Sequence, residues 1–470
     1  MNTFRALALP LTKRRFFYPP FFLPSLNVKN ILDRIIPTEE EEAQLRDVVS
    51  DLIGSAQKEI DRLNVDANAF LTGSVAKNTH LKNPEIDIFI GFSDKTTRKD
   101  LERYGLEIGE KVLKGRKMYA EHPYIHGAYR GFEVDIVPCY RLKSAKGKVT
   151  AVDRTPFHAK YVIGNLKKGQ ENEVRLFKQF AKGIGVYGAE AKVQGLSGYL
   201  CELLILKYGT FTNLVKNASK WEDRISIELD KKARKDFDDP LNVIDPVDPG
   251  RNVASAVSAD QLATLIHACK EYLRNPSERF FFPTEPRILT KEELAAEMET
   301  RGTHFVCVET GKPDVTDDIL YPQLRKMKRA IVELCESEGF AVVDSRFDVT
   351  DGKVVLLLEF EIWRLPRAKK RIGPPTTNRN VSGFLARWSK SRLALSRPFI
   401  EGSRWVVFIE RPNENVQDLL ENRIMELSLG KDIRKEAKRG VKIIGGKRIL
   451  TKDRLGILTA LLDKRFPWEY

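Results

Sequence analysis

Two short segments constrain the fold of this chain more than any other feature. Glu85-Ile86-Asp87-Ile88-Phe89-Ile90 and Phe132-Glu133-Val134-Asp135-Ile136-Val137 both alternate polar and apolar residues with period two. Successive side chains of an extended strand point to opposite faces, so the isoleucines and valines can be buried while the acids share the other face. Both segments therefore read as strands of a sheet with one face open to a cleft. Glu85 and Asp87, two residues apart, stand about 6.6 Å apart along such a strand. Joined by a third acid from a neighbouring strand, they can hold two divalent ions roughly 4 Å apart, the arrangement that phosphoryl transfer requires. Asp135 and Glu133 lie on the same face of the second segment, and periodicity does not choose between them.

The segment ahead of the first strand fits that chemistry. Gly73 in Leu71-Thr72-Gly73-Ser74-Val75-Ala76-Lys77 lets the backbone approach a phosphate closely. Ser74 can donate from both its hydroxyl and its amide where a helix starts. A lone Gly-Ser carries no information; its weight comes from preceding a Glu-x-Asp strand and a further acidic strand. Upstream, Thr38 and Glu41 have the spacing of a helix capping box, and Leu45, Val48, Val49, Leu52 and Ala56 follow at helical intervals.

At 470 residues the chain exceeds one ordinary core, so three or four structural units are expected. With 79 basic against 65 acidic residues its net charge of +14 suits a polyanionic partner, nucleic acid or an anionic surface. Five scattered cysteines indicate a reduced protein without a disulfide or zinc framework, and cytoplasm is the default location. Apolar runs such as Val354 to Leu358 end too soon to cross a bilayer, so no membrane association is expected. Residues 1–27, rich in Arg, Phe and Pro, read as a loose extension outside any core. Asp351-Gly352 between two apolar runs signals a tight hairpin. Leu320, Leu324, Met327, Ile331 and Leu334 form the stripe of a packed helix. Basic runs at 364–371 and 431–448 fit solvated faces and phosphate-binding surfaces equally well. His122 and His126 have the spacing of a helical metal pair, but the intervening Pro123 and the lack of a third ligand argue against a zinc site.

Gly-Ser, an acidic-x-Asp pair and a distant third carboxylate resemble the nucleotidyltransferase superfamily signature. Further segments narrow this: Ala151 to His158, Lys178, Val186 to Glu190, Gly195 to Glu202, and Asp245 to Asp248 with Arg251 to Ala254 together resemble the archaeal-type (class I) CCA-adding enzymes. The resemblance implies an α+β multidomain protein: a palm-type nucleotidyltransferase head with a mixed sheet (28–165), a helical neck (166–285), an α/β body (286–345 and 426–470) and a tail with a β-hairpin (346–425). It selects Asp135 over Glu133, giving Glu85, Asp87 and Asp135 as catalytic residues holding two Mg²⁺ ions. It places Gly73, Ser74 and Lys77 beside the triphosphate, with Lys77 where Arg is usual; the change keeps the charge and loses the bidentate fork. It brings His158, Lys178 and Tyr187 to the nucleotide, although a lone His or helical Lys is ordinarily structural, and gives Arg251 a part in reading the base.

The implied activity is untemplated addition of C, C and A from CTP and ATP to the 3′ end of tRNA, with pyrophosphate released. A poly(A)-adding or oligoadenylate-type terminal nucleotidyltransferase could use the same three carboxylates. A non-catalytic RNA-binding protein with a degenerate head is the alternative of another class. The sequence leaves the oligomeric state open, a homodimer included.

Overall fold

The computed structural model describes residues 27–119, 122–144, 150–222 and 224–470. The expected N-terminal extension, apart from Asn27, lies outside the described residues. The chain forms two compact units: the described residues through Ala189 together with Gly195–Pro283, and Glu190–Gln194 together with Thr284–Tyr470. The range expected for the head, 28–165, lies in the first unit, and that expected for the neck, 166–285, lies there except for 190–194 and 284–285.

In the first unit, helix α1 (Val28–Ile35) precedes α2 (Glu39–Leu63), which begins as its sequence indicates. The Thr38 hydroxyl accepts from the Glu41 amide, and the Glu41 carboxylate accepts from the Thr38 amide. The buried stripe Leu45, Val48, Leu52, Ala56 and Ile60 packs α2 onto a five-stranded sheet. Its strands are β1 (Ala67–Thr72), β2 (Ile86–Ser93), β3 (Arg116–Tyr119), β4 (Pro123–Tyr129) and β5 (Phe132–Arg141), in the order β1-β2-β5-β4-β3. Only the β2–β5 pair is parallel, so the sheet is mixed. One turn of helix, α3 (Gly73–Ala76), follows β1, and α4 (Arg98–Val112) covers the core side.

Helices α5 (Ala151–Asn165), α6 (Gln170–Gly183), α7 (Gly198–Tyr208), α8 (Phe211–Ala218) and α9 (Ala259–Arg274) complete this unit with the two-stranded pair β6 (Ile225–Ile227) and β7 (Leu241–Val243). Phe180, Phe211, Tyr272 and Phe281 bring α6, α8 and α9 together, with ring centroids 5.4 to 5.9 Å apart. Such mutually edge-on rings add directional attraction to the burial of their area.

The second unit is built on an antiparallel sheet of β8 (His304–Gly311), β9 (Val342–Thr350), β10 (Lys353–Phe360) and β14 (Val441–Gly445), in the order β14-β8-β10-β9. α10 (Lys291–Arg301) packs with one face and α11 (Asp317–Glu338) with the other, the latter through the stripe read from the sequence. Val354, Leu356 and Leu358 turn toward α11 while Val355 and Leu357 turn toward α10, so an unbroken apolar run is what a strand covered on both faces needs. Glu359, which ends that run, is fully buried and is held by Arg301 and Thr303.

The Asp351-Gly352 hairpin forms with positive φ at both turn residues, 47° and 69°. Its position corrects the expected boundary at residue 346. Both hairpin strands belong to the four-stranded sheet, because β10 must be central to bury both faces. A separate three-stranded sheet, β11 (Ala368–Pro375), β13 (Arg404–Glu410) and β12 (Phe399–Glu401), starts at Ala368 and carries the helix Val381–Ser389. Among the described residues no helix is long and apolar enough to cross a membrane.

Candidate active site

Burial of Ile86, Ile88, Val134 and Ile136 fixes which way the intervening acids point. β2 and β5 run parallel with Asp87 directly opposite Asp135, so these two carboxylates stand side by side on the open face. Glu85 lies one residue ahead of β2 rather than within it: Asn83 takes a left-handed φ of 52° and Pro84 has no amide for a ladder, so pairing starts at Ile86. Its carboxylate still approaches Asp135, since ligand atoms of Glu85, Asp135 and His126 lie within 4.8 Å of one another. Asp87 is outside that trio but stands opposite Asp135 and feels the charges of both acids.

Their electrostatics show the cost of assembling them. The Asp87 carboxyl is pushed up to about 7 by burial, then by the charges of Glu85 and Asp135, against the weaker pull of Lys77. Burial also raises Glu85, with Asp135 adding to it, and burial raises Asp135. Such a set accommodates positive charge, and its hard oxygen donors suit Mg²⁺ or Mn²⁺. Gly73 is essential to the same spot. Its φ is +70°, and a Cβ there would lie 1.8 Å from Asp87 Oδ2, so both conformation and space call for glycine.

A cleft of about 360 Å³ is lined by two of these acids, Glu85 and Asp87. Gly73, Ser74, Lys77, Lys178 and Tyr187, all expected at the nucleotide, line it, together with Lys182, Tyr199 and Glu202, which the sequence reading missed. Fully buried Glu202 organises the cations. Lys77 Nζ donates to Glu202 Oε2 at 2.6 Å, and Lys178 Nζ donates to Oε1 at 3.0 Å and to Thr79. The Thr79 hydroxyl adds a bond of 2.6 Å to Oε1. Burial alone would raise the Glu202 carboxyl, but Lys178 and Lys77 hold it below its ordinary value. Burial pulls the Lys178 ammonium down, and Glu202 opposes that pull.

His158 and Arg251 do not line this cleft; they meet at Asp245 beside it. His158 Nε2 is 2.9 Å from Asp245 Oδ2, Arg251 Nη1 is 3.6 Å from the same oxygen, and the Tyr199 hydroxyl donates to Oδ1. The Tyr199 ring stacks on His158 with centroids 4.1 Å apart, and the Lys77 ammonium lies 6.0 Å from its centre. Tyr199 therefore joins the two groups. Burial raises the Asp245 carboxyl, but the His158 hydrogen bond and neighbouring charges bring it below its ordinary value. Tyr199, Glu202 and Asp245 sit within segments that carried the family resemblance, but nothing in their spacing marked a role.

A family model described as a nucleotidyltransferase domain matches residues 53–158. One described as tRNA nucleotidyltransferase, second domain, matches 172–282, and one described as CCA-adding enzyme, C-terminal domain, matches 301–446. The CCA-adding enzyme of Archaeoglobus fulgidus is 42% identical over 90% of this chain and 95% of its own length. The chain belongs to the CCA-adding enzyme family. Relatives of the same name in Methanosarcina acetivorans and Thermoplasma acidophilum are 38% and 37% identical over 88% and 87% of this chain, each covered over 92% of its length. Members of this family use nucleoside triphosphates and divalent metal.

Two outcomes test the site. Gly73→Ala should lower nucleotide transfer by about 100-fold, the scale set by misplacing a reacting group by an ångström, while circular dichroism stays native. The Asp87 pKa gives the second. Because the folded value lies above the ordinary 3.8, metal-free stability contributed by this group falls as pH rises from about 4 to about 7. A divalent ion must displace that proton. Calorimetry of Mg²⁺ binding in buffers of differing ionisation enthalpy should find close to one proton released at about pH 6 and almost none at about pH 8.5, with Asp87→Asn removing the difference.

Proposed function

We propose that this CCA-adding enzyme builds and repairs the 3′ end of tRNA by adding C, C and A from CTP and ATP, with Glu85, Asp87 and Asp135 as ligands of two Mg²⁺ ions. One observation carries the reading: Glu85 and Asp87, the latter with a markedly raised pKa and Asp135 opposite it on β5, line a cleft whose wall presents Lys77, Lys178 and Lys182. Bound divalent ions supply charge neutralisation at the triphosphate and acidify the attacking 3′-hydroxyl.

The protein's own residues do the rest. Gly73 and Ser74 offer backbone and hydroxyl to the phosphates, and the narrow approach at Gly73 keeps Asp87 next to them. Lys77 and Lys178 bring positive charge to the cleft wall opposite the triphosphate, and Glu202, with Thr79 at Lys178, fixes both ammonium groups before substrate arrives. Such prior orientation lowers the reorganisation needed at reaction. Tyr199 and Tyr187 supply flat apolar surface for a base. Asp245 orients Arg251 so that its guanidinium can donate to acceptors on C or A; a pocket of fixed donors leaves groups unpaired with U or G, which is a source of discrimination. The net charge of +14 favours the RNA backbone, and tRNAs of differing sequence can share one surface through shape and phosphate contacts.

Incubation with tRNA lacking its terminal trinucleotide, with each nucleotide separately and all together, followed by sequencing, should show C added from CTP and A only after two C residues. Homopolymeric A without C would instead indicate a poly(A)-adding enzyme. Asp87→Ala and Asp135→Ala should abolish transfer while tRNA affinity stays within a few fold, which separates catalysis from binding.

A further inference from the structure

His126, set aside in sequence as half of a helical pair with His122, lies on strand β4, and the antiparallel register places it opposite Asp135. Its Nδ1 is 2.7 Å from Asp135 Oδ1 and 4.0 Å from Glu85 Oε1, and its Nε2 is 3.2 Å from Glu133 Oε2. An ionised carboxylate only accepts, so the contact with Asp135 puts a proton on Nδ1 and makes the ring a donor there. Glu133, 61% exposed at its side chain, lies 3.2 Å from the opposite nitrogen. Both acids on this face of β5 contact the imidazole, one at each nitrogen, but Asp135, at 15% exposure, is the one whose ligand atom also lies within 4.8 Å of Glu85.

We propose that His126 is the positioning residue for the third carboxylate, holding Asp135 in the orientation in which it receives a divalent cation, with Glu133 bracing the ring from the far side. A carboxylate that rotates freely offers a cation two equivalent oxygens and loses orientational entropy on binding. Asp135, with one oxygen committed to Nδ1–H, is oriented before the cation arrives. Hydrogen-bonding partners of metal-ligating carboxylates commonly change metal affinity by about 10- to 100-fold when removed. This inference rests on the reading of Glu85, Asp87 and Asp135 as cation ligands.

The test is Mn²⁺ binding to the full-length protein without nucleotide or RNA, read from the paramagnetic resonance signal of free Mn²⁺, with melting temperature and tRNA affinity measured alongside. His126→Ala should weaken Mn²⁺ binding about 10-fold. His126→Asn, whose amide nitrogen can stand where Nδ1 stood, should restore it to within about threefold of the native protein, and both variants should melt and bind tRNA as the native protein does. In transfer assays His126→Ala should raise the Mg²⁺ concentration for half-maximal rate by about the same factor and leave the KM for ATP at saturating Mg²⁺ unchanged. Native Mn²⁺ affinity in His126→Ala overturns the proposal. Equal losses in the Ala and Asn variants also overturn it, because the ring itself would then be a ligand. If Asp135→Asn too leaves Mn²⁺ binding intact, the assignment of the site fails; if only the His126 variants bind normally, that assignment stands and the positioning role alone fails.

Discussion

Asp87 stands beside Asp135 because Ile86 and Ile88 pair in parallel register with Val134 and Ile136 and are buried beneath them. A slip of one residue would turn every side chain of β2 to the opposite face, driving Asp87 into the core and lifting isoleucines into the cleft. The hydrophobic core thus enforces a juxtaposition of like charges that electrostatics alone would disperse. Burial first, and then the charges of Glu85 and Asp135, raise the Asp87 pKa. Local features reinforce the arrangement: Gly73 leaves room for the Asp87 carboxylate, and the Asn83-Pro84 turn sends Glu85 to the same group.

Charge is sorted on either side of this cleft. Among the described residues, the acids gathered at the strand ends have no basic partner at hydrogen-bonding distance other than His126, while the lysines opposite share one buried carboxylate. Leaving Lys178 buried without a counter-charge would favour its neutral form and cost the site its attraction for phosphate. Glu202 prevents that. Its two lysines carry two positive charges against its one negative charge, so the trio still attracts an anion. The Asp245 cluster repeats the pattern, with one buried carboxylate orienting an imidazole, a phenol and a guanidinium.

Several features could be read from the chain because they rest on local periodicity. The strands at Ile86 and Phe132, the capping box at Thr38, the stripe of α11 and the Asp351-Gly352 turn all follow from side-chain alternation or backbone chemistry over a few residues. What could not be read depends on which strand or helix meets which. His126 lies nine positions from Asp135 in sequence, and only the β4–β5 register brings them together. Glu202 looks like one more residue of an apolar helix until Lys77, 125 positions away, closes on it. The hairpin was visible, but its membership of the four-stranded sheet was not, because the partners of β10 lie far off in β8 and, through it, β14.

In the proposed function, Glu85, Asp87 and Asp135 together hold divalent ions around a nucleoside triphosphate. Crystals grown with Mn²⁺ and a non-hydrolysable ATP analogue, measured for the anomalous scattering of manganese, test it most directly. Two peaks are expected, both bound by oxygens of these three residues, with the triphosphate running toward Lys77 and Lys178. Nucleotide bound in the cleft with manganese elsewhere, or with no peak at these carboxylates, would contradict it.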